Sequence, residues 1–403
     1  MSTSSSLVRN LQHVTVYRDP KGEWNAAFPE IAQLANGELL VSIREARYRC
    51  PSEKKNRHNH QDPDCRGSII RSLDGGRTWP LDTRQQLTGT FPMEQCSVST
   101  ASDKLVLFIY AMSSQSNPYE CVLRLADDES CAGWSQSIYG IDWARRSTDG
   151  GHTWDEPTPL LPSPLTKSAI HAPMIELPDG TLLAPLCGGF SFRHREQVQQ
   201  HPQCVVRSHD RGKTWGDGSI IALDTAGKRR YHQASLVRMP DGEMIATMHS
   251  QEWIELADGR RAREVAAWLA RSLDDGRTWS PVTLMPFRVT GSATSVICLQ
   301  DGRLLFTWSD RHIPSMRIAI SDDAGHTWSN SSGWSVREGE HISGSNSLLQ
   351  AWAHDGVVFG GTISDIGEPC TIQRHDGRII SVYYWGDADE PIRYIEAAIF
   401  DIA

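Results

Sequence analysis

Gln95, His171, Gln233 and Glu368 each stand nine residues before the turn of a short apolar hairpin, and Arg44, His249 and Tyr384 each stand seven residues after one. Counting in the same way from all six turns, at Gly37, Lys104, Gly180, Gly242, Gly302 and Gly377, adds Phe28 and Ala293 to the first set and Ala111, Cys187 and Ser309 to the second. Both sets fall at the same end of their hairpins. Side chains of these types do two things well: Glu, His and Tyr move protons, and Arg holds anions through paired hydrogen bonds. A buried polar group without a partner costs about 1–3 kcal/mol, so this collection at strand ends points to a functional mouth.

The elements that must position them are legible in two interleaved repeats. Short β-rich runs split by Asp-Gly or Asn-Gly recur at LANGELLVSI, LPDGTLLAPL, MPDGEMIATM, LQDGRLLFTW and RHDGRIISVY, with a degenerate copy at ASDKLVLFIY. Each predicts a hairpin. Between them lie five copies of Ser-x-Asp-x-Gly-x-x-Trp, beginning at Ser72, Ser147, Ser208, Ser272 and Ser321. Their Asp accepts bonds from the backbone of its own turn, and their Trp covers it. These boxes are structural.

Five complete hairpin-plus-box units and one incomplete unit predict an all-β fold, a six-bladed β-propeller of four-stranded antiparallel blades. The N-terminal run HVTVY, His13 to Tyr17, is expected to complete the last blade beside IRYIEAAIF, so that no sheet edge is left open. Blades are placed near residues 25–85, 88–160, 165–222, 228–288, 289–335 and 360–403, with an insertion near 335–364, in one domain spanning 1–403. In a propeller the first strand of each blade is innermost. The counted positions therefore ring the central axis.

A formal charge of −9 argues against a general nucleic-acid surface, and no apolar run approaches a membrane span. The opening MSTSSSLVRNLQHVT carries no apolar signal core, which with nine scattered cysteines favours reduced thiols and a cytoplasmic setting. Cys50 with Cys65, and Cys121 with Cys131, are the pairs a secreted chain would form. Ligand-type residues cluster at HNHQDPD, His58 to Asp64, but a polar loop explains them, and neither a metal nor another cofactor is expected.

The boxes, the opening FPEIAQLANGELLVSIRE and the close RIISVYYW resemble the sialidase-like, or neuraminidase, superfamily of Asp-box, BNR-repeat propellers over essentially the whole chain. The resemblance implies a glycoside hydrolase with an arginine cluster, a Tyr nucleophile activated by Glu, and an Asp acid/base on a loop of the first blade. By that resemblance Asp62 and Asp64 match the region of the acid/base, and Arg311 in SDRHIP matches a substrate-binding Arg. The sequence departs from the pattern elsewhere. Phe28-Pro29-Glu30 stands where Arg-Ile-Pro is expected, Tyr231-His232-Gln233 where the activating Glu belongs, and Gly367-Glu368-Pro369 where the Tyr should open its strand.

The expected chemistry is cleavage of a terminal acidic sugar from a glycoside or oligosaccharide, with Asp62 or Asp64 as general acid and Glu368 as nucleophile or base. Tyr384, His171 and His249 are the further catalytic candidates. Arg44, Arg66, Arg311, His232, Gln233 and Gln95 are the expected substrate-binding side chains. Two other classes fit the same ring. One is a lyase acting on uronic acid with His or Tyr as base, and the other is a glycan-binding propeller without turnover.

Overall fold

The computed structural model describes residues 7–48, 64–112, 142–160, 165, 167–189, 201–227, 229–255, 261–289, 293–339, 364–387 and 392–403. Six antiparallel sheets follow one another along the chain, and each begins with its innermost strand. Blade one runs Trp24–Gln33, Leu39–Arg47, Cys65–Ser72 and Gln85–Gln86, and blade two Met93–Ala101, Leu105–Met112, Asp142–Ser147 and Thr158–Pro159. Blade three opens with the split strand Lys167–Ile170 and Ile175–Glu176, continuing through Leu182–Gly189, Gln203–Ser208 and Gly216–Ala222. Blade four comprises Arg229–Arg238, Met244–Glu255, Arg261–Ser272 and Thr283–Arg288, and blade five Ser295–Cys298, Leu304–Asp310, Ser315–Ser321 and Trp334–Glu338.

Blade six is built from both ends of the chain. Gly367–Gln373, Ile379–Trp385 and Tyr394–Ile402 are joined at the outer edge by Val8–Tyr17, with His13 opposite Ala398 and Val14 opposite Ala397. The N-terminal strand thus closes the ring as its sequence predicts. Trp334–Glu338 is the outer strand of blade five, and residues 340–363, which make up most of the stretch expected as an insertion near 335–364, lie outside the described residues.

The core is divided among the interfaces between blades. Six buried clusters each draw from two neighbours: Leu40 with Val98, Leu107 with Val206, Val205 with Leu236, Leu269 with Phe306, Ile318 with Tyr383, and Val382 with Ile31. The last pair returns to blade one. Burial at about 25 cal/mol per Å² is the main force holding such a ring shut.

The five box turns share one hydrogen-bond pattern. The box Ser hydroxyl accepts from the Gly N–H, as in Gly212 to Ser208 at 2.8 Å, and donates to the Asp, as in Ser208 to Asp210 at 2.8 Å. Each box also holds a Thr immediately before its Trp, and its hydroxyl donates to the second Asp oxygen at 2.6–2.7 Å in all five turns. The box glycine is required at Gly212, where φ is +81° and a Cβ would sit 2.8 Å from Leu107 of the preceding blade.

An arginine locks each box to its neighbour. Arg71, Arg146, Arg207 and Arg271, each directly before a box Ser, donate to box carbonyls of the next blade at Gly150, Arg211, Asp275 and Ala324, over 2.7–3.1 Å. Ile320 takes this position in blade five, and the next blade has no box to hold. Arg374 serves the first box instead, donating to Gly75 at 2.8 Å.

Candidate active site

The innermost strands lose their ladder at one height. Register shifts fall between Ala27 and Glu30, Met93 and Cys96, His232 and Ser235, and Gly367 and Cys370, while blade three is split there and blade five begins only at Ser295. Phe28, Gln233 and Glu368 take positive φ of 53°, 56° and 54° at these bulges. Bulges re-aim side chains, and a non-glycine residue in the left-handed region costs on the order of 1–3 kcal/mol, so three at one level mark a constrained site.

Seven of the sequence-predicted residues meet there in one hydrogen-bonded chain. Gln95 Oε1 lies 2.5 Å from His171 Nδ1, Gln233 Nε2 lies 3.0 Å from the same nitrogen, and Gln233 Oε1 accepts from His249 Nε2 at 2.8 Å. Gln233 also donates to Glu368 Oε2 at 3.1 Å, and the Ala293 N–H donates to the same oxygen at 3.1 Å. Arg311 Nη2 approaches Glu368 Oε1 to 3.7 Å and donates to the Tyr384 hydroxyl at 2.8 Å. Tyr384 in turn donates to Asp365 Oδ1 at 3.0 Å.

Glu30 completes the ring, and counting from the turns does not find it. It stands two residues beyond Phe28, where the bulge returns the strand to the axis, and its carboxyl group accepts from Gln95 Nε2 at 3.1 Å and bonds Ser97. Glu30 and Glu368 line one cavity of about 10 Å³, with His171 and Gln95 beside them. That is the space of about one water molecule. Residues 49–63, 113–141, 190–200 and 256–260, Asp62 among them, lie outside the described residues.

The two carboxyl groups meet different surroundings. Burial raises Glu30 to about 8 against the opposition of its bonds to Ser97 and Gln95, with the charge of Glu368 raising it further, so Glu30 is a protonated acid at neutral pH. Glu368 faces two N–H donors and a guanidinium, the surroundings of a carboxylate. Burial alone would lower Arg311, but Tyr384, Glu368 and Asp365 hold it above its ordinary value. Burial, helped by Asp365 and Glu368 against Arg311, keeps the Tyr384 hydroxyl protonated far above its usual range.

The remaining candidates lie around this chain. Arg44 donates to the Met93 carbonyl at 2.8 Å and to Cys65 Sγ at 3.1 Å, and its guanidinium sits 5.4 Å from the Phe28 ring, which packs edge-on against Tyr384. Arg66 pairs with Glu45 at 2.9 Å and stacks over Trp24 at 3.8 Å. Asp64 stands directly before the third strand of blade one, its carbonyl accepting from the Arg47 N–H at 3.3 Å. The His232 ring stacks on His249 at 5.3 Å and lies 4.2 Å from His201. The described cysteines Cys65, Cys96, Cys187, Cys204, Cys298 and Cys370 are not disulfide-bonded, and Cys50, Cys121 and Cys131 lie outside the described residues.

A roomier hollow of about 770 Å³ opens at the other end of the axis, among the hairpin turns at Leu177–Gly180 and Met239–Pro240. Among its charged groups Glu176 accepts from Ser102 in the same lining at 2.6 Å, Asp179 accepts from the Thr181 N–H at 2.9 Å, and Arg238 pairs with Asp275 at 3.0 Å. The hydrogen-bonded chain of titratable side chains lies at the bulged end.

Residues 96–343 match the family of BNR repeat-like domains. No curated protein matches the chain. Among solved structures it is similar to a protein of unknown function from Dyadobacter fermentans, at 22% identity and a TM-score of 0.75, over 99% of this chain and 100% of that one. It is also similar to an intramolecular trans-sialidase from Ruminococcus gnavus, at 13% identity and a TM-score of 0.60, over 96% and 97%. An alpha-L-arabinanase from Penicillium chrysogenum follows at 13% identity and a TM-score of 0.58, over 96% and 97%. At these identities the likeness is one of fold.

Proposed function

Because the chain belongs to the family of BNR repeat-like domains and its hub sets a carboxyl that burial keeps protonated beside a second one facing N–H donors and a guanidinium, we propose that it is a glycoside hydrolase that cleaves a terminal acidic sugar. Glycosidic cleavage through an oxocarbenium-like transition state needs an acid to protonate the leaving oxygen and a carboxylate to act as nucleophile or base. Glu30 has the character of the first and Glu368 of the second. The acid role that the resemblance gives to Asp62 or Asp64 passes to Glu30 in this reading, since Glu30 shares a cavity with Glu368.

Arg311, buried and 3.7 Å from Glu368, supplies the positive charge nearest the pair for an acidic sugar. Tyr384 acts as a neutral hydrogen-bond donor here, because a hydroxyl whose ionisation is pushed upward is a poor base or nucleophile. The same point weighs against elimination with Tyr384 as the base. His171 and Gln233 orient the carboxyl pair through the chain of bonds between them. That the similar structures include a trans-sialidase and an arabinanase supports a carbohydrate substrate.

A panel of sialosides and uronides tests the reading. The wild-type protein is expected to release free sugar from at least one acidic glycoside, and Glu30→Gln and Glu368→Gln are each expected to lower kcat/KM by about 100-fold or more. Full activity in both variants would refute the carboxyl pair. Unsaturated product would assign a lyase, and saturable binding without product would assign a glycan-binding propeller.

A further inference from the structure

Cys187, His201 and His232 offer one ligand atom each, and these atoms lie within 4.8 Å of one another. They come from two blades: Cys187 is on the second strand of blade three, His201 stands just before the third, and His232 is on the innermost strand of blade four. We infer that this trio is a binding site for a divalent transition metal of zinc type, pinning blade three to blade four beside the carboxyl pair.

The donor set selects the metal. A thiolate with two imidazoles and no carboxylate suits Zn²⁺ or Co²⁺, whereas Ca²⁺ and Mg²⁺ need oxygen ligands. Donor atoms around a tetrahedral zinc stand roughly 3.3–3.8 Å apart, from bond lengths of about 2.0–2.3 Å, so small side-chain rotations close the trio onto an ion. Three protein ligands leave a fourth position for water or another small ligand.

The surrounding hydrogen bonds hold the ligands as a metal site requires. His201 Nδ1 lies 2.9 Å from the Tyr231 carbonyl, which only accepts, so Nδ1 carries the proton and the neutral ring presents its lone pair at Nε2. Gln203 donates to that same carbonyl at 2.7 Å and accepts from the Ala234 N–H at 3.1 Å, bracketing His232 and the strained Gln233. Cys187 is buried, which disfavours a lone thiolate but suits one neutralised by a cation. The proposal stands on its own residues and does not depend on the hydrolase reading.

The full chain, stripped with a chelator and dialysed, is titrated with Co²⁺. Saturation at about one ion per chain with a thiolate-to-cobalt charge-transfer band is expected, and Zn²⁺ should abolish the band. Cys187→Ser should lose the band, and His201→Ala should lose tight binding while retaining the β-sheet circular dichroism of the wild type. Zn²⁺ should raise the melting temperature of the stripped wild type and leave that of His201→Ala unchanged. Binding without a thiolate band, a band that survives in Cys187→Ser, or an equal melting shift in His201→Ala would overturn the assignment. If Cys187→Ser fails to fold, the cobalt spectrum of the wild type and the His201→Ala comparison decide it.

Discussion

Glu30→Gln should change the slope of stability against pH, and the sign follows from the carboxyl's two environments. In the unfolded chain Glu30 titrates near its ordinary value of 4.5, and in the folded hub near 8. Between those values the folded protein keeps a proton that the unfolded chain has released, so stability falls as pH rises. Each pH unit is worth about 1.4 kcal/mol, and the whole window about 5 kcal/mol. Gln cannot ionise and lacks this slope. At about pH 5 the variant is expected to be less stable by about 1–2 kcal/mol, because the acceptor facing Ser97 and Gln95 is disturbed. By about pH 8 the order reverses, with the variant more stable by about 2 kcal/mol. Asp142, raised to about 7 by burial, adds its own pH dependence but is common to both proteins and cancels in the difference. Urea denaturation of both proteins across this range reads the effect. Parallel curves would mean that Glu30 is ionised in the folded hub, and the acid assigned to it would be lost.

Three further outcomes are expected. The kcat/KM profile of the wild type should decline as pH rises through about 8, because the general acid is then ionised, and a plateau extending well above that value would contradict the role of Glu30. Glu45→Gln should cost about 3–5 kcal/mol in chemical denaturation, since the buried carboxylate receives Arg66, Arg84, Tyr17 and Ser68 at once and its loss strands two guanidinium groups. Thr278→Val should move Asp274, held at about 2 chiefly by the Thr278 hydroxyl and N–H, upward toward 3.8 in a carbon-detected NMR titration. The stability owed to such box carboxylates is present above pH 3.8 and is lost as pH falls through about 2.

The repeats carried the fold because turn chemistry is local. Asp-Gly at each hairpin tip and Ser-x-Asp-x-Gly in each box are demands of a few adjacent residues, so they can be read without knowing what packs nearby. Even the degenerate turn obeys the rule, since Asp103 and Lys104 adopt the positive φ, 55° and 59°, that glycine supplies elsewhere. The box Thr went unread as a fixed position although it occurs in every copy, and its hydrogen bond to the Asp shows why it recurs. The arginine before the box Ser carried the same kind of signal, and its partner on the next blade is visible only in three dimensions.

The site was legible to the extent that the counting register survives. Nine residues before each turn does reach the axis, which is how Gln95, His171, Gln233 and Glu368 come together. Bulges at that height add a residue to the strand, and this brings Glu30 to the axis two positions beyond the count. The pairing of Cys187 and His201 with His232 was likewise hidden, because the three residues are far apart in sequence and meet only across the junction of two blades.

The most direct test of the hub as a hydrolytic centre is digestion of an acidic oligosaccharide in water enriched in heavy oxygen, followed by mass spectrometry of the products. The account predicts one heavy oxygen at each newly formed reducing end with the wild type, and no product with Glu368→Gln. Unlabelled unsaturated product, or labelled product formed equally fast by the variant, would contradict it.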